Sequence, residues 1–157
     1  MKKYYCLYSL ILAVIFYSCG SSQPATQEEM SHQYIYTFDS LNKEVIFDKV
    51  MKYIANNFNS AKSVIDYKDK QAGSIVVKGI LSNIDFGGLA KTNLNFILNI
   101  IVKDNKIKLD YQNFTIPNDP YSPIPMADYK RTHFVVKKRL DSMSLGIFNF
   151  INKKEDF

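Results

Sequence analysis

Apolar and polar residues alternate most strictly between Asn93 and Val102. The apolar set is Leu94, Phe96, Leu98, Ile100 and Val102, and the residues between them are Asn93, Asn95, Ile97, Asn99 and Ile101. Because successive side chains of a strand point to opposite faces of a sheet, this pattern predicts a strand whose apolar set faces the core. Residues 104–106 then form a tight hairpin connection, and residues 107–111 continue the alternation on a paired strand.

Two other segments repeat their apolar residues at helical spacing. The first follows the N-cap candidates Ser40 and Asn42, and its apolar residues are Phe47, Val50, Met51, Ile54, Ala55 and Phe58. The second begins near Asp128, and its apolar residues are Val136, Leu140, Met143, Ile147 and Ile151. Residues three and four apart lie on one face of a helix, so each segment is predicted to be an amphipathic helix that buries one side.

Three further segments, rich in aromatic and β-branched residues, predict strands at 34–38, 63–69 and 74–81. Residues 70–73 supply the turn between the last two, and the stretch 82–88, which contains Gly87 and Gly88, is predicted to be irregular. Four prolines between Pro117 and Pro125 predict an extended loop over residues 117–127. The pattern as a whole predicts an α+β fold in the order β-α-β-β-β-β-α, with five antiparallel strands in one sheet.

The N-terminus has a different character from the rest of the chain. A basic start, Met1-Lys2-Lys3, precedes an apolar run that ends at Cys19. The run holds about 15 residues, fewer than the roughly 20 that a spanning helix needs, so residues 1–18 are predicted to be a secretory signal. The segment resembles a lipoprotein signal of the type found in Bacteroidota, although Phe16 stands where such signals usually have Leu. The resemblance implies that Cys19 carries acyl chains such as palmitate.

Composition indicates the parts of the mature chain and excludes one class of partner. Residues 19–33, mostly Ser, Gln, Pro, Thr and Glu, are predicted to be a flexible tether. One domain at 34–116, the Pro-rich loop at 117–127 and a C-terminal helix at 128–157 follow. The lipoprotein resemblance implies a lipid-anchored place in the cell envelope, and Gly20 instead of Asp after the cysteine favours the outer membrane, facing the periplasm. The net charge of +5 is scattered along the chain, so no nucleic-acid partner is predicted.

Three stretches of the chain resemble one family of bacterial domains. They are residues 42–47, residues 54–58 followed by residues 64–75 with the turn Asp69-Lys70-Gln71-Ala72-Gly73, and residues 102–108. The order of helix, Asp-Lys-x-x-Gly turn and final hairpin is similar to a domain of unknown function with a TATA-box-binding-protein-like (TBP-like) fold, over residues 34–115. The resemblance implies a curved antiparallel sheet with helices on one face. That family has no established activity, so no catalytic residue is implied.

Two surfaces are candidates for binding. One is the sheet face opposite the predicted core, which would carry Asn93, Asn95, Ile97 and Asn99. The other is the Pro-rich loop with Tyr121, because loops often carry function and tyrosine suits contacts that are part apolar and part polar. Simpler interpretations stay open: the final helix or solvent covers the face, and the loop only links the sheet to that helix.

The sequence contains no motif that predicts catalysis, a cofactor or a metal site. The stretch Gly87 to Thr92 lacks the glycine before lysine that a phosphate loop needs. His32 and His133 have neither cysteine partners nor the paired spacing of a zinc site. We therefore expect a non-enzymatic envelope lipoprotein that acts as a binding or structural module, with the membrane as partner through its lipid anchor and an envelope protein as a candidate partner. The alternatives are a carrier or sensor of a small apolar ligand held between sheet and final helix, and a hydrolase.

Overall fold

The computed structural model describes residues 24–58, 64–85, 91–117, 124 and 126–153. Its elements are α1 (Gln27–Met30), β1 (His32–Thr37), α2 (Lys43–Asn57), β2 (Ile65–Asp69), β3 (Ser74–Asp85), β4 (Lys91–Lys103), β5 (Lys106–Thr115) and α3 (Met126–Asn152). The strands form one antiparallel sheet in the order β1-β5-β4-β3-β2. The predicted α+β fold with five antiparallel strands is confirmed.

The turn between β4 and β5 also fixes the start of α2. Asn105 takes a positive φ of 57°, which asparagine tolerates better than most residues. Its side-chain oxygen accepts a hydrogen bond from the Leu41 amide at 2.7 Å, and Asp104 accepts one from the Lys43 amide at 2.7 Å. Asn42 caps the helix by accepting from the Val45 amide at 2.9 Å. Of the two N-cap candidates, Asn42 is therefore the one used.

Both long helices pack on the same face of the sheet. The side chains that α2 and α3 bury there are Ile46, Phe47, Val50, Ile54, Val136, Leu140, Ile147 and Ile151. From the sheet, Leu94 to Val102 supply the predicted apolar set, and all five of its members are buried. Tyr111 of β5 lies 2.9 Å from the Ser144 hydroxyl of α3, and Tyr34 of β1 donates to Asp141 at 2.7 Å. The final helix therefore does not cover the opposite face.

Strand β3 is longer than the alternation predicts. The stretch 82–85 was expected to be irregular, but β3 runs to Asp85 through a bulge between Leu81 and Ile84. Asn83 takes a φ of 57° in this bulge and donates its amide to the Asn93 side chain at 3.3 Å. Arg139 of α3 donates to the Ser82 carbonyl. The bulge adds one residue to β3, so that Ile84, three residues after Leu81, also faces the core and is buried. A two-residue period in the sequence cannot indicate this shift.

The predicted tether is partly folded. Residues 24–33 were expected to be flexible, but the Ala25 amide donates to the Ile124 carbonyl at 2.8 Å and Ala25 is buried. Thr26 and Glu29 form a capping box that starts α1, and Met30 is buried against the sheet. The burial of Ala25 and Met30 could not be predicted from composition because their partners lie far along the chain, although the Thr26-x-x-Glu29 spacing is a local signal for a helix start. The structure therefore begins about ten residues earlier than the predicted domain.

Several predictions concern residues outside the described part of the chain. They are the signal at residues 1–18, the acylated Cys19, and the Pro-rich loop residue Tyr121. Within the described ranges, no helix combines the length and the apolar character needed to cross a membrane.

Candidate functional site

The sheet face turned away from α2 and α3 is the candidate site, and we call it the open face. Its side chains are Gln33 and Ile35 on β1, Lys108, Asp110 and Gln112 on β5, Asn93, Asn95, Ile97, Asn99 and Ile101 on β4, Val76, Lys78 and Ile80 on β3, and Tyr67 on β2. All four sheet residues that the sequence indicated, Asn93, Asn95, Ile97 and Asn99, lie on it. The fifth candidate, Tyr121, is outside the described residues.

The centre of the open face is formed by three residues of β4. The register places Asn95 between Ile80 and Thr115, Ile97 between Lys78 and Gln112, and Asn99 between Val76 and Asp110. All three central residues are half-buried by these neighbours. A carboxamide both donates and accepts hydrogen bonds, so Asn95 and Asn99 can serve either kind of polar partner on the two sides of Ile97. Asn93 is not part of this centre. Its side-chain oxygen accepts a hydrogen bond from the Asn83 amide in the β3 bulge.

Large apolar side chains stand around this centre. Ile80 is 59% exposed, Ile35 is 56% exposed and Tyr67 is 52% exposed. These residues could not be identified from the sequence, because only the register shows that they share a face with Asn95 and Asn99. Ile80 pairs with Asn95, and Tyr67 pairs with Val76, the neighbour of Asn99, so these two apolar side chains border the polar centre. Ile35 lies apart from them on the edge strand β1. Exposed apolar side chains next to hydrogen-bonding groups are a feature of interaction sites, whereas single exposed apolar residues are common on any protein.

The charges of the open face are few and mixed. Lys78 pairs with Asp66 at 2.5 Å, and both side chains are about half exposed. Lys108 and Asp110 add one charge of each sign on β5. Exposed ion pairs of this kind contribute little to stability, and they create no strong field of one sign. The face is therefore suited to a partner that is part apolar and part polar, not to a polyanion.

A cleft of about 1050 Å³ adjoins the open face at the outer edge of β3. β2 pairs with β3 only as far as Val77, and the cleft opens beside the next residues of β3. Its wall on the helix side includes Tyr53 of α2, Phe58 directly after that helix, Met143 of α3 and Phe96 of β4. Deeper between the sheet and the start of α3, a second cavity of about 10 Å³ has room for about one water molecule. Of these two cavities among the described residues, the larger lies at the β3 end of the space between sheet and final helix.

Two histidines that the sequence separates by about a hundred residues are stacked in the structure. The rings of His32 and His133 have centroids 5.4 Å apart, and Phe114 meets His32 edge-on at 6.3 Å. Nδ1 of His133 lies 2.7 Å from the Tyr129 hydroxyl, which donates to the Glu29 carbonyl at 2.5 Å. Among the described residues no cluster of three or more His, Cys, Asp or Glu could hold a metal ion. These ring contacts and hydrogen bonds join α1, β1, β5 and α3.

Burial lowers the pKa of His32, and the nearby charges of His133 and Lys137 lower it further, while Asp141 acts in the opposite direction. Its Nε2 is buried without a hydrogen-bond partner among the described residues. The unfolded chain has an ordinary histidine pKa of about 6.5 and binds the proton more readily than the folded protein. Stability is therefore complete above that value and is lost as the pH falls from there toward the lower pKa of folded His32.

Replacing His32 by phenylalanine tests this pH dependence. The ring contacts with His133 and Phe114 are retained, but the titrating group and the unpartnered nitrogen are removed. We expect the melting temperature of the wild type to fall between about pH 8 and pH 5, and that of His32→Phe to fall less. Thermal unfolding followed by circular dichroism measures both slopes. Equal slopes would show that His32 does not titrate between these pH values.

Comparisons with known proteins agree with this architecture. Residues 33–116 match the model of the DUF4468 family, a domain of unknown function with a TBP-like fold. A TBP-like protein from Parabacteroides distasonis has a TM-score of 0.58 and 13% identity, with 80% of this chain and 94% of that chain covered. A DUF4468 family protein from Bacteroides ovatus has the same TM-score and identity, with 88% and 95% covered. No curated protein matches the chain.

At this level of identity the two structures show the fold alone. The family model spans more than half of the chain, and its described part includes β1, α2 and all the strands that carry the open face. The chain therefore belongs to the DUF4468 family of domains with a TBP-like fold.

Proposed function

We propose that the protein is a non-catalytic binding module of the bacterial cell envelope. Acyl chains on Cys19 anchor it in the outer membrane, and it binds an envelope protein through the open face on the periplasmic side. The observation that carries the proposal is the packing of α2 and α3 on one side of the sheet. It leaves the other side with half-buried carboxamides and exposed apolar residues.

The composition of the open face supports a protein partner. Protein interfaces bury apolar area together with hydrogen-bonding groups, and tyrosine is enriched in them. Ile80 and Ile35 provide apolar area, Tyr67 is half exposed, and Asn95 and Asn99 provide hydrogen bonds. The few charges on this face argue against nucleic acid, and the proposed compartment contains none.

A single charge on the open face tests the binding role. Ile80→Asp places a carboxylate at a side chain that is 59% exposed, and Val45→Asp does the same on α2 at 39% exposure. Each full-length variant is crosslinked in intact cells and recovered through an epitope tag. We expect the wild type and Val45→Asp to capture the same envelope protein and Ile80→Asp to lose it. Retention of the partner by Ile80→Asp would exclude the open face as the binding surface.

The anchor is tested in the same cells with labelled palmitate. The chain contains two cysteines, Cys6 and Cys19, so Cys6→Ser is a matched control for Cys19→Ser. Each buried CH₂ contributes about 0.8 kcal/mol, and two or more acyl chains hold a protein firmly in a bilayer. We expect the wild type and Cys6→Ser to be labelled and shortened by the leader. Cys19→Ser should remain unlabelled, and a labelled Cys19→Ser would contradict the anchor.

The cleft beside β3 favours a second candidate function, which is a carrier or sensor of a small apolar ligand. Its volume of about 1050 Å³ is sufficient for a small molecule, and Phe58, Phe96 and Met143 give its wall apolar character. Native mass spectrometry of the full chain purified from cells distinguishes the two candidates. A bound species of a few hundred daltons favours the carrier, and a mass equal to that of the protein alone favours the binding module.

A further inference from the structure

The chain between the proposed anchor and the folded domain is short. Ala25 is 7% exposed, and its amide donates to the Ile124 carbonyl at 2.8 Å. Only six residue steps separate Ala25 from Cys19, and each step spans at most about 3.6 Å, which limits the separation to about 22 Å. If Cys19 is acylated, as proposed above, the part of the domain around Ala25 and Ile124 stays close to the bilayer.

The first turns of α3 lie in that same part of the domain. The Tyr129 hydroxyl donates to the Glu29 carbonyl of α1 at 2.5 Å, and Met30, Tyr129 and Val136 line one small cavity. Phe134 follows Tyr129 by five residues, or about 7.5 Å along the helix axis. Phe134 is therefore about one and a half helical turns from a residue that contacts α1, the element that follows Ala25 in the chain.

That outer surface combines an exposed aromatic residue with cations. Phe134 is 74% exposed and Val135 is 43% exposed, while Thr132 and Val136 on the other side of the helix are buried. Lys130 and Lys138, four residues before and after Phe134, share its face of the helix and are exposed. Residues 129–140 contain five Lys or Arg and no Asp or Glu.

Carboxylates offset part of this charge. Glu29 of α1, which is hydrogen-bonded to Thr26, interacts electrostatically with Lys130. Asp141 follows Phe134 by seven residues, so it lies on the same side of α3 two turns further along, where it accepts from Tyr34 and Lys137. A helix surface with an apolar aromatic between lysines is typical of contact with a membrane interface, where the ring enters the headgroup region and the cations meet lipid phosphates.

We propose that Lys130, Phe134, Val135 and Lys138 form a second membrane contact, which docks on the anionic phospholipid surface beside the acyl anchor. This inference rests on the proposed lipoprotein function and deepens it, because acyl chains fix the position of the domain but not its orientation. The contact lies on the outer side of α3, and the sheet lies on the inner side. The open face then points away from the bilayer, toward the periplasm.

The chain contains no tryptophan, so one introduced tryptophan reports its own environment. We choose Phe134→Trp in the full chain, reconstituted into vesicles of phosphatidylglycerol and phosphatidylcholine with brominated acyl chains. We expect blue-shifted emission and about twofold quenching by the bromine. In vesicles of phosphatidylcholine alone, or when Lys130→Glu and Lys138→Glu are added, the quenching should be lost. The matched control is Ile80→Trp on the open face, which should remain unquenched in all vesicles.

Palmitate labelling and flotation of the same samples report on the anchor separately. A labelled protein that floats with the vesicles but leaves the tryptophan at 134 unquenched would overturn the second contact and leave the anchor intact. Equal quenching at positions 134 and 80 would also overturn it, because the domain would then have no fixed orientation. An unlabelled protein whose tryptophan at 134 is still quenched by excess anionic vesicles would support the contact and contradict the anchor. If label and quenching are both absent, both proposals are wrong.

Discussion

Replacing Gly73 by alanine is expected to lower the free energy of unfolding by about 3 kcal/mol. Gly73 has a φ of +69°, and a Cβ atom there would lie 2.3 Å from the Val102 carbonyl oxygen and 3.2 Å from Cδ of Lys43. The left-handed backbone costs a residue with a side chain about 1–2 kcal/mol. Crowding in a packed interior costs a further 1–3 kcal/mol or so, and here the obstacle is a backbone atom that cannot rotate away.

Gly73 is sensitive to substitution because its turn connects β2 to β3 and is also hydrogen-bonded to β4. The Gly73 carbonyl accepts from the Val102 amide at 2.7 Å, and Asp69 accepts from the Ala72 amide at 2.9 Å. Any movement that relieves the clash therefore disturbs the attachment of the β2–β3 turn to β4. This geometry gives a physical reason for glycine at the end of the Asp-Lys-x-x-Gly turn.

Gly146→Ala is the matched control for Gly73→Ala. Its new Cβ would meet only the Tyr53 hydroxyl, at 2.8 Å, which is the far end of a side chain that can move. Alanine is also favoured over glycine inside a helix by about 1 kcal/mol. We therefore expect Gly146→Ala to remain within about 1 kcal/mol of the wild type. Urea unfolding followed by circular dichroism measures both variants, and equal midpoints for them would contradict the close approach at Gly73.

The elements that could be predicted from the sequence are those whose signal is local. The alternation from Leu94 to Val102 indicates β4 because the same two-residue period decides which side chains are buried. The stripe of α3 is equally readable, and of its five predicted members only Met143 is not fully buried. In these segments the environment of each residue follows from its own position along the element.

The features that could not be predicted depend on distant partners. Ala25 and Met30 are buried because Ile124 and the sheet receive them, so a polar segment that looked like a tether is folded. The stack of His32 on His133 exists only once β1 and α3 are adjacent. The bulge at Asn83 likewise depends on Asn93 of the neighbouring strand. Long-range contacts of this kind leave no period in the sequence.

The candidate site contains residues that a local sequence pattern predicts and residues whose position depends on distant strands. Asn95, Ile97 and Asn99 could be assigned to one face from parity alone. Ile80 and Tyr67 could not, because their place beside these residues depends on the register between strands and on irregular pairing in β2. The polar centre of the open face was therefore predictable, and its apolar surroundings were not.

The two proposals depend on one structural feature, which is the position of α3. If α3 lies between the bilayer and the sheet, the protein has a fixed order from the membrane outward. The anchor and the lysines around Phe134 lie at the bilayer, and the open face lies on the far side of the sheet. A domain with this order would present Asn95 and Ile80 to the periplasm whatever the identity of the partner. A partner bound on α3 instead would compete with the membrane for the same surface.

Replacing Leu140 by alanine is expected to cost about 2–5 kcal/mol, which makes it the largest loss from a single truncation on α3 that we predict. Leu140 is 0% exposed, and its removal leaves a cavity between α3 and the sheet. Leu145→Ala is the same substitution on the same helix, at a side chain that is 51% exposed. Its expected cost is about 0.5 kcal/mol, as for other surface positions.

The difference between the two variants tests which side of α3 meets the sheet. Urea midpoints, combined with the slope of each transition, give both free energies of unfolding. Similar losses for Leu140→Ala and Leu145→Ala would mean that α3 is not docked through the Leu140 side. The open face and the outward direction of Phe134 would then both be wrong, because each is defined by that docking. A large loss of stability for Leu140→Ala alone would support the docking of α3 on one face of the sheet. The proposed binding role requires this docking, because it leaves the other face open.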